Sequence, residues 1–218
     1  MFRVILYAQW KWSRLVITLG TIAAFILPVL SVQGASPHST SPMRGGELLG
    51  MVQAWGVLYP VLAAALGLLV AIATWAPDHR GRHVHALSLP LPRWRYVLLR
   101  FGAGLVLLAA PALAVLFGAV LATRLAAIPP GLEGYPVALA IRFAVAVLVA
   151  YAVFFAVSAG TTRTAGLILA AIGGLIVVQL LASLANIDVD VLTPLQSALL
   201  LWPGPLAIFT GRWMLIDV

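Results

Sequence analysis

The feature that most limits what this chain can become is its long apolar runs, between which charge is confined to short stretches. From about Leu49 to Trp75, and again from Phe101 to Thr123, there is no charged residue at all. Runs of this length exceed the roughly 20 apolar residues that take an α-helix across about 30 Å of hydrocarbon. Of the 218 residues 63% are hydrophobic and 9% charged, against about a quarter charged in soluble domains. The composition predicts an all-α polytopic membrane protein, with room for about six spans and none for a sizeable soluble domain. A formal net charge of +7 fits the cytoplasmic bias of Lys and Arg around spans better than nucleic acid binding. There is no cysteine, which excludes disulfides and thiolate metal sites.

In chain order, residues 1–14 mix Tyr7, Trp10 and Trp12 with Arg3, Lys11 and Arg14. That pattern predicts an interfacial helix on the cytoplasmic surface, the alternative being a long first span with a basic flank. A cleavable signal peptide would have a similar basic start, but the apolar run that follows is long and lacks a clear small-residue cleavage site until well beyond Gly34. The first span is expected over 15–33, with Pro28 toward its far end, followed by a Ser-, Pro- and Gly-rich outer loop containing Arg44. The second, 49–75, contains Pro60 as a candidate kink, and Ala63, Gly67 and Ala71 at intervals of four, the small-residue spacing that lets helices approach closely. The third, 96–123, contains Gly102, Gly104 and Pro111, and leads into the outer turn Pro129-Pro130-Gly131. The fourth, 137–159, has Arg142 near its outer end, where it either snorkels outward or faces a polar cavity. After an inner turn with Arg163, the fifth, 165–186, repeats the small-residue spacing at Gly166, Ala170 and Gly174. An acidic outer loop with Asp188 and Asp190 precedes 196–212, which Trp202-Pro203-Gly204-Pro205 interrupts. Two readings are open for it, a kinked sixth span or a re-entrant pair. Ten of the thirteen Lys and Arg fall in the N-terminal flank, the 77–100 region, the Arg163 turn and Arg212. The bias predicts a cytoplasmic N-terminus, and a cytoplasmic C-terminus as well if all six segments cross.

The basic stretch 76–95 concentrates the information. Pro77 is expected to end the preceding helix, and Pro90 biases Leu89 toward extended backbone, so 82–88 forms only about two helical turns. Within it Val84, Leu87 and Leu91 recur at helical spacing, giving a short amphipathic element suited to an interface or another protein's groove. Pro92 stands where a new helix can begin. His79, His83 and His85 resemble a metal cluster in spacing, but only Asp78 is at hand to complete a shell, and solvated loop histidines are the default reading. Lys11 is the single lysine and lies outside the spans, which argues against a Schiff-base cofactor. No serine elbow, zinc-protease pair or intramembrane carboxylate dyad occurs, and the polar span residues Gln53, Tyr59, Tyr151 and Gln179 read as helix–helix hydrogen bonds. Without a phosphate-binding loop the chain cannot itself couple ATP hydrolysis to anything.

Asp78, a short helix, then Leu87-Ser88-Leu89-Pro90-Leu91-Pro92-Arg93 and a span with Arg100 in its first turns resemble the permease subunits of ABC transporters of the second exporter type. The layout is similar too, with an amphipathic first helix, about six spans and a long basic loop between the second and third. The lead into the leucines departs from that family, with histidines where it usually has glycine and threonine. The resemblance implies that the loop is a coupling helix docking on a separate cytoplasmic ATP-binding subunit. It implies that Asp78, Arg82, Val84, Leu87, Leu89, Pro90 and Arg93 make or shape the contact. It further implies a dimer with a second permease copy or relative and contact with membrane lipid, in a bacterial cytoplasmic membrane. No cofactor is expected in this chain, ATP and Mg belonging to the partner. The competing expectation from the residues is a non-transporting subunit that assembles a larger membrane complex through the same basic loop; a membrane-embedded enzyme has the least support.

Overall fold

The structure is a computed structural model that describes residues 2–33, 45–80, 92–126, 128–129, 131–159, 204 and 206–217, with single positions at 170, 174, 177, 178 and 198. It is mostly helical and divides into two compact units, one formed by Met1–Phe155 with Arg212–Val218 and the other by Ala156–Gly211. The helices are α1 (Phe2–Ser31), α2 (Gly45–Gly56), α3 (Leu58–Arg80), α4 (Arg93–Leu125) and α5 (Pro136–Ala159). Among the described residues, four stretches are long and apolar enough to cross a bilayer: Phe2–Ser31, Gly46–Ala76, Trp94–Leu125 and Pro136–Ala159. The chain is an integral membrane protein.

In the first unit α1 packs chiefly along α4 and secondarily on α3, and the residues at these contacts invert the pattern of a soluble bundle. On α1 the buried stripe is Gln9, Ser13, Ile17, Gly20, Ala24, Leu27, Pro28 and Ser31, while Leu15, Leu19, Ile22 and Phe25 are exposed. On α4, Ala103, Ala114, Ala119 and Ala122 are buried and Leu98, Val106, Leu113 and Phe117 are exposed. Lipid is as apolar as leucine, so burying large side chains between helices gains little, and close backbone approach through small residues gains more. A Cβ on Gly118 of α4 would collide with the carbonyl of Phe25, so these two helices meet there backbone to backbone. Gly67 of α3 does the same for α5, a Cβ there falling 2.6 Å from the Ala150 Cβ and 2.7 Å from the Tyr151 nitrogen. Ala63 and Ala71, which flank it on the stripe, are also fully buried.

Two prolines act differently from expectation. The second passage does not kink at Pro60 but breaks at Val57, between α2 and α3. That break makes Pro60 the third residue of α3, where its missing amide has no helical acceptor to lose. Pro77, expected to end the helix, lies inside α3, which runs on to Arg80. Only the Ala73 carbonyl, four residues back, loses a donor by it. Pro92 is the N-cap of α4, and its carbonyl accepts from the Arg95 and Tyr96 amides at 3.0 and 3.3 Å. Of residues 1–14, expected as a separate interfacial helix, 2–14 are continuous with the span in one helix, α1.

Helices α1 and α4 start at one end of this unit, called here the near end, while α3 and α5 start at the far end. The C-terminal residues belong to the far end. Strand β2 (Ile216–Asp217) pairs antiparallel with β1 (Glu133–Gly134), in the α4–α5 connection, with Glu133 opposite Asp217 and Gly134 opposite Ile216. The Tyr135 amide donates to the Leu215 carbonyl at 2.8 Å, and Trp213, Leu215 and Ile216 are buried. This corrects the expectation that the C-terminus shares a side with the N-terminus. Two complete crossings after α5 would return the chain to the near end, whereas Arg212–Asp217 is held at the opposite one by the strand pair and its buried side chains. Arg212 therefore moves in the cation count from the majority to the minority, making it nine against four, and the bias keeps its direction.

The second unit is helical at 170, 174, 177 and 178, within the expected fifth span. The second half of the expected 196–212 segment is not α-helical among the described residues: Gly204 is a bend and Ala207–Phe209 a 3-10 turn. Pro203 and Pro205 remove two amide donors from that stretch, which accounts for the loss of the α-helical ladder. Gly211 follows with a φ of 82°, a conformation that suits glycine.

Candidate functional site

Four helices converge at the near end on Arg100, in the second turn of α4. The residue is only 8% exposed, and its guanidinium donates from Nη1 to the Thr74 carbonyl of α3 at 2.8 Å. The arginine carbon Cζ stands 5.4 Å from the Trp75 ring centroid and 4.9 Å from that of Tyr96, so the charge rests between two electron-rich faces. From α1, Gln9 Nε2 donates to the Arg100 carbonyl at 3.1 Å. From α5, the Phe155 carbonyl accepts from Trp75 Nε1 at 3.2 Å.

Aromatic rings fill the space below. Phe101 stacks on Tyr151 at 5.2 Å and meets Phe155 edge-on at 5.2 Å, and Trp75 lies 5.1 Å from Phe155. Tyr151 fits because position 104 is glycine, where a Cβ would overlap the tyrosine hydroxyl. The consequence is mechanical. The two helices that enter and leave the 81–91 stretch are tied to each other, and through Gln9 and Phe155 to the other two.

Of the residues expected to contact a partner, Arg82, Val84, Leu87, Leu89 and Pro90 lie outside the described residues. Asp78 falls in the last turn of α3 and Arg93 is the first residue of α4, so the two ends of the motif sit at the near end. Gly166 is outside the described residues; Ala170 and Gly174 are exposed, and among the described residues a Cβ on Gly174 would meet nothing. Of the polar span residues, Tyr59 and Tyr151 are buried, Gln53 is exposed and Gln179 is outside the description. His79 occupies the end of α3, and His83 and His85 are outside the description.

Arg142, for which snorkelling and a polar cavity were the two expectations, has another arrangement. Its Cζ lies 4.5 Å from the centre of the Trp213 ring and its Nη1 donates to the Arg212 carbonyl. Trp213 in turn stacks on Tyr59 at 6.2 Å. The C-terminal segment thus supplies the partner of this intramembrane charge. Sequence reasoning missed the Arg100 cluster and this one for the same reason, since each joins residues far apart in the chain. The stripe on α1 was open to reading, because Gln9, Ser13, Ile17, Gly20 and Ala24 recur every three or four residues. No family model matches the chain, and no curated protein or solved structure is similar to it.

Proposed function

We propose that the protein is the membrane-spanning permease subunit of an ATP-driven transporter, with the 77–93 connection as the contact for a separate cytoplasmic ATPase. The observation that carries the reading is the placement of this connection. The Asp78-to-Arg93 motif begins and ends on the two helices that Arg100 ties together, at the end holding most of the cations. A push on the connection would pass through the Thr74–Arg100 bond and the Trp75–Phe155 contact to all four helices. Alternating access needs that kind of rigid linkage between a docking element and the spans. By the cation bias this end faces the cytoplasm, in a subunit that pairs with a second copy or relative. The substrate is a molecule compatible with an apolar lining, exported at the expense of ATP and Mg held by the partner.

The test is purification of the complex from its native membrane, with Leu87→Asp and Leu89→Asp introduced together. The wild-type complex is expected to contain an ATP-hydrolysing chain and the double variant to lose it. Retention of the ATPase by the variant refutes the docking site. Recovery with a complex devoid of nucleotide-dependent activity favours an assembly subunit instead.

A further inference from the structure

The first turns of α1 carry a stripe that the transport reading leaves unused. Arg3, Tyr7, Lys11 and Arg14 follow one another at intervals of four, four and three, and all are exposed. At 100° per residue they share one face, opposite Gln9 and Ser13, which are buried against the protein. The chain has no acidic residue before Glu47, so nothing nearby in sequence neutralises this face.

Its height relative to the membrane follows from how α1 meets α4. Further along, the two helices run side by side, from Gln9 against Arg100 to Phe25 against Gly118. The Phe2 ring still comes within 4.0 Å of where a Cβ on Gly102 would stand, so the first turns of α1 stay beside the start of α4 rather than standing clear of it. Ser13 Oγ donates to the Gln9 carbonyl at 2.7 Å and Thr18 Oγ1 to that of Arg14 at 2.8 Å, back-bonds of the kind that bend helices.

Trp10 and Trp12 are 38% and 44% exposed on these turns, and Trp94 is 60% exposed at the start of α4 with the Arg95 guanidinium 5.2 Å from its ring centre. Exposed tryptophans belong at the headgroup level, and the same helix continues directly into a membrane-length apolar run. We infer that the Arg3–Tyr7–Lys11–Arg14 face binds the phosphate headgroups of anionic phospholipids, making the near end selective for negatively charged lipid. Charge complementarity, and the headgroup depth marked by the exposed tryptophans on a helix continuous with a membrane-length run, single out lipid as the occupant.

The test uses the full chain in nanodiscs of phosphatidylcholine containing a minor fraction of brominated-chain phosphatidylglycerol or, separately, brominated-chain phosphatidylcholine, with tryptophan quenching as the readout. The anionic quencher is expected to be at least twice as effective as the neutral one at equal mole fraction. The excess is expected to fall in 1 M salt, where the screening length is about 3 Å, and to vanish in the Arg3→Gln/Lys11→Gln/Arg14→Gln variant. Arg124→Gln, at the far end, keeps it. Equal quenching by the two lipids in the wild type, or an undiminished excess in the triple variant, overturns the inference. If the triple variant does not insert, each single variant is measured, and an unchanged excess in all three has the same force.

Discussion

Replacing Arg100 with methionine keeps most of the aliphatic stem and removes the guanidinium, isolating what the charge contributes at the near end. Among the interactions lost are the donor to the Thr74 carbonyl at 2.8 Å and the placements 5.4 and 4.9 Å from the Trp75 and Tyr96 rings. A hydrogen bond from a charged group is worth about 1.5–3 kcal/mol, and each cation–π contact about 0.5–1 where some solvent reaches it. Polar contacts between membrane helices average only about 0.6 kcal/mol, which argues for the lower part of the sum. A loss of about 2–3 kcal/mol is expected, or roughly 30- to 140-fold in the unfolding equilibrium at 1.4 kcal/mol per tenfold. Unfolding by sodium dodecyl sulfate in mixed micelles, followed by tryptophan fluorescence, measures it. Arg100→Lys retains the charge but not the planar fork that serves two rings and a carbonyl, and should fall between the two. Stability of the methionine variant within about 0.5 kcal/mol of wild type, the range of an ordinary surface substitution, would refute the claim that this cation holds the helices together.

Gly118→Ala is expected to destabilise by about 1–2 kcal/mol, because overpacking against the Phe25 backbone outweighs the gain in helix propensity. Gly50→Ala, where a Cβ meets nothing among the described residues, is expected to stabilise by up to about 1 kcal/mol, and the same micelle unfolding compares the two. Tyr135 lies outside the spans and is held above its ordinary value of 10.0, first by the Glu133 carboxylate, then by desolvation, its hydrogen bond to Glu133 and the charge of Asp217. The folded protein therefore keeps this proton to higher pH than the unfolded chain. The contribution is fully present below about pH 10 and is lost as pH rises through the folded value. Glu133→Gln is expected to bring the titration down, read as tyrosinate absorbance with Tyr135→Phe identifying the band.

What the sequence revealed and what it concealed divide along contact range. The four described spans are local statements, each a run of apolar residues longer than a bilayer is thick, and boundaries such as the start of α4 after Pro92 follow from a single residue's missing amide. The stripe of Ala63, Gly67 and Ala71 was also open to reading, since helical periodicity alone places those residues on one face. Arg100 was visible only as one more cation near a span end, because its meaning depends on Thr74 and Gln9, 26 and 91 residues away. Arg212 was assigned to a side by counting charge, and counting cannot register that Trp213, Leu215 and Ile216 have a buried place waiting beside the α4–α5 connection. The break at Val57 was hidden because Pro60 advertises the disturbance three residues late.

The pairing of β2 with β1 also sets an order of events. Ile216 and Asp217 leave the ribosome after all four long helices, so the connection at Glu133–Gly134 must wait, with its backbone donors and acceptors hydrated, until the strand that pairs with it has been made. The four long helices can insert as they emerge, but their far end is sealed only when residues 212–217 have been carried to that side and tucked in.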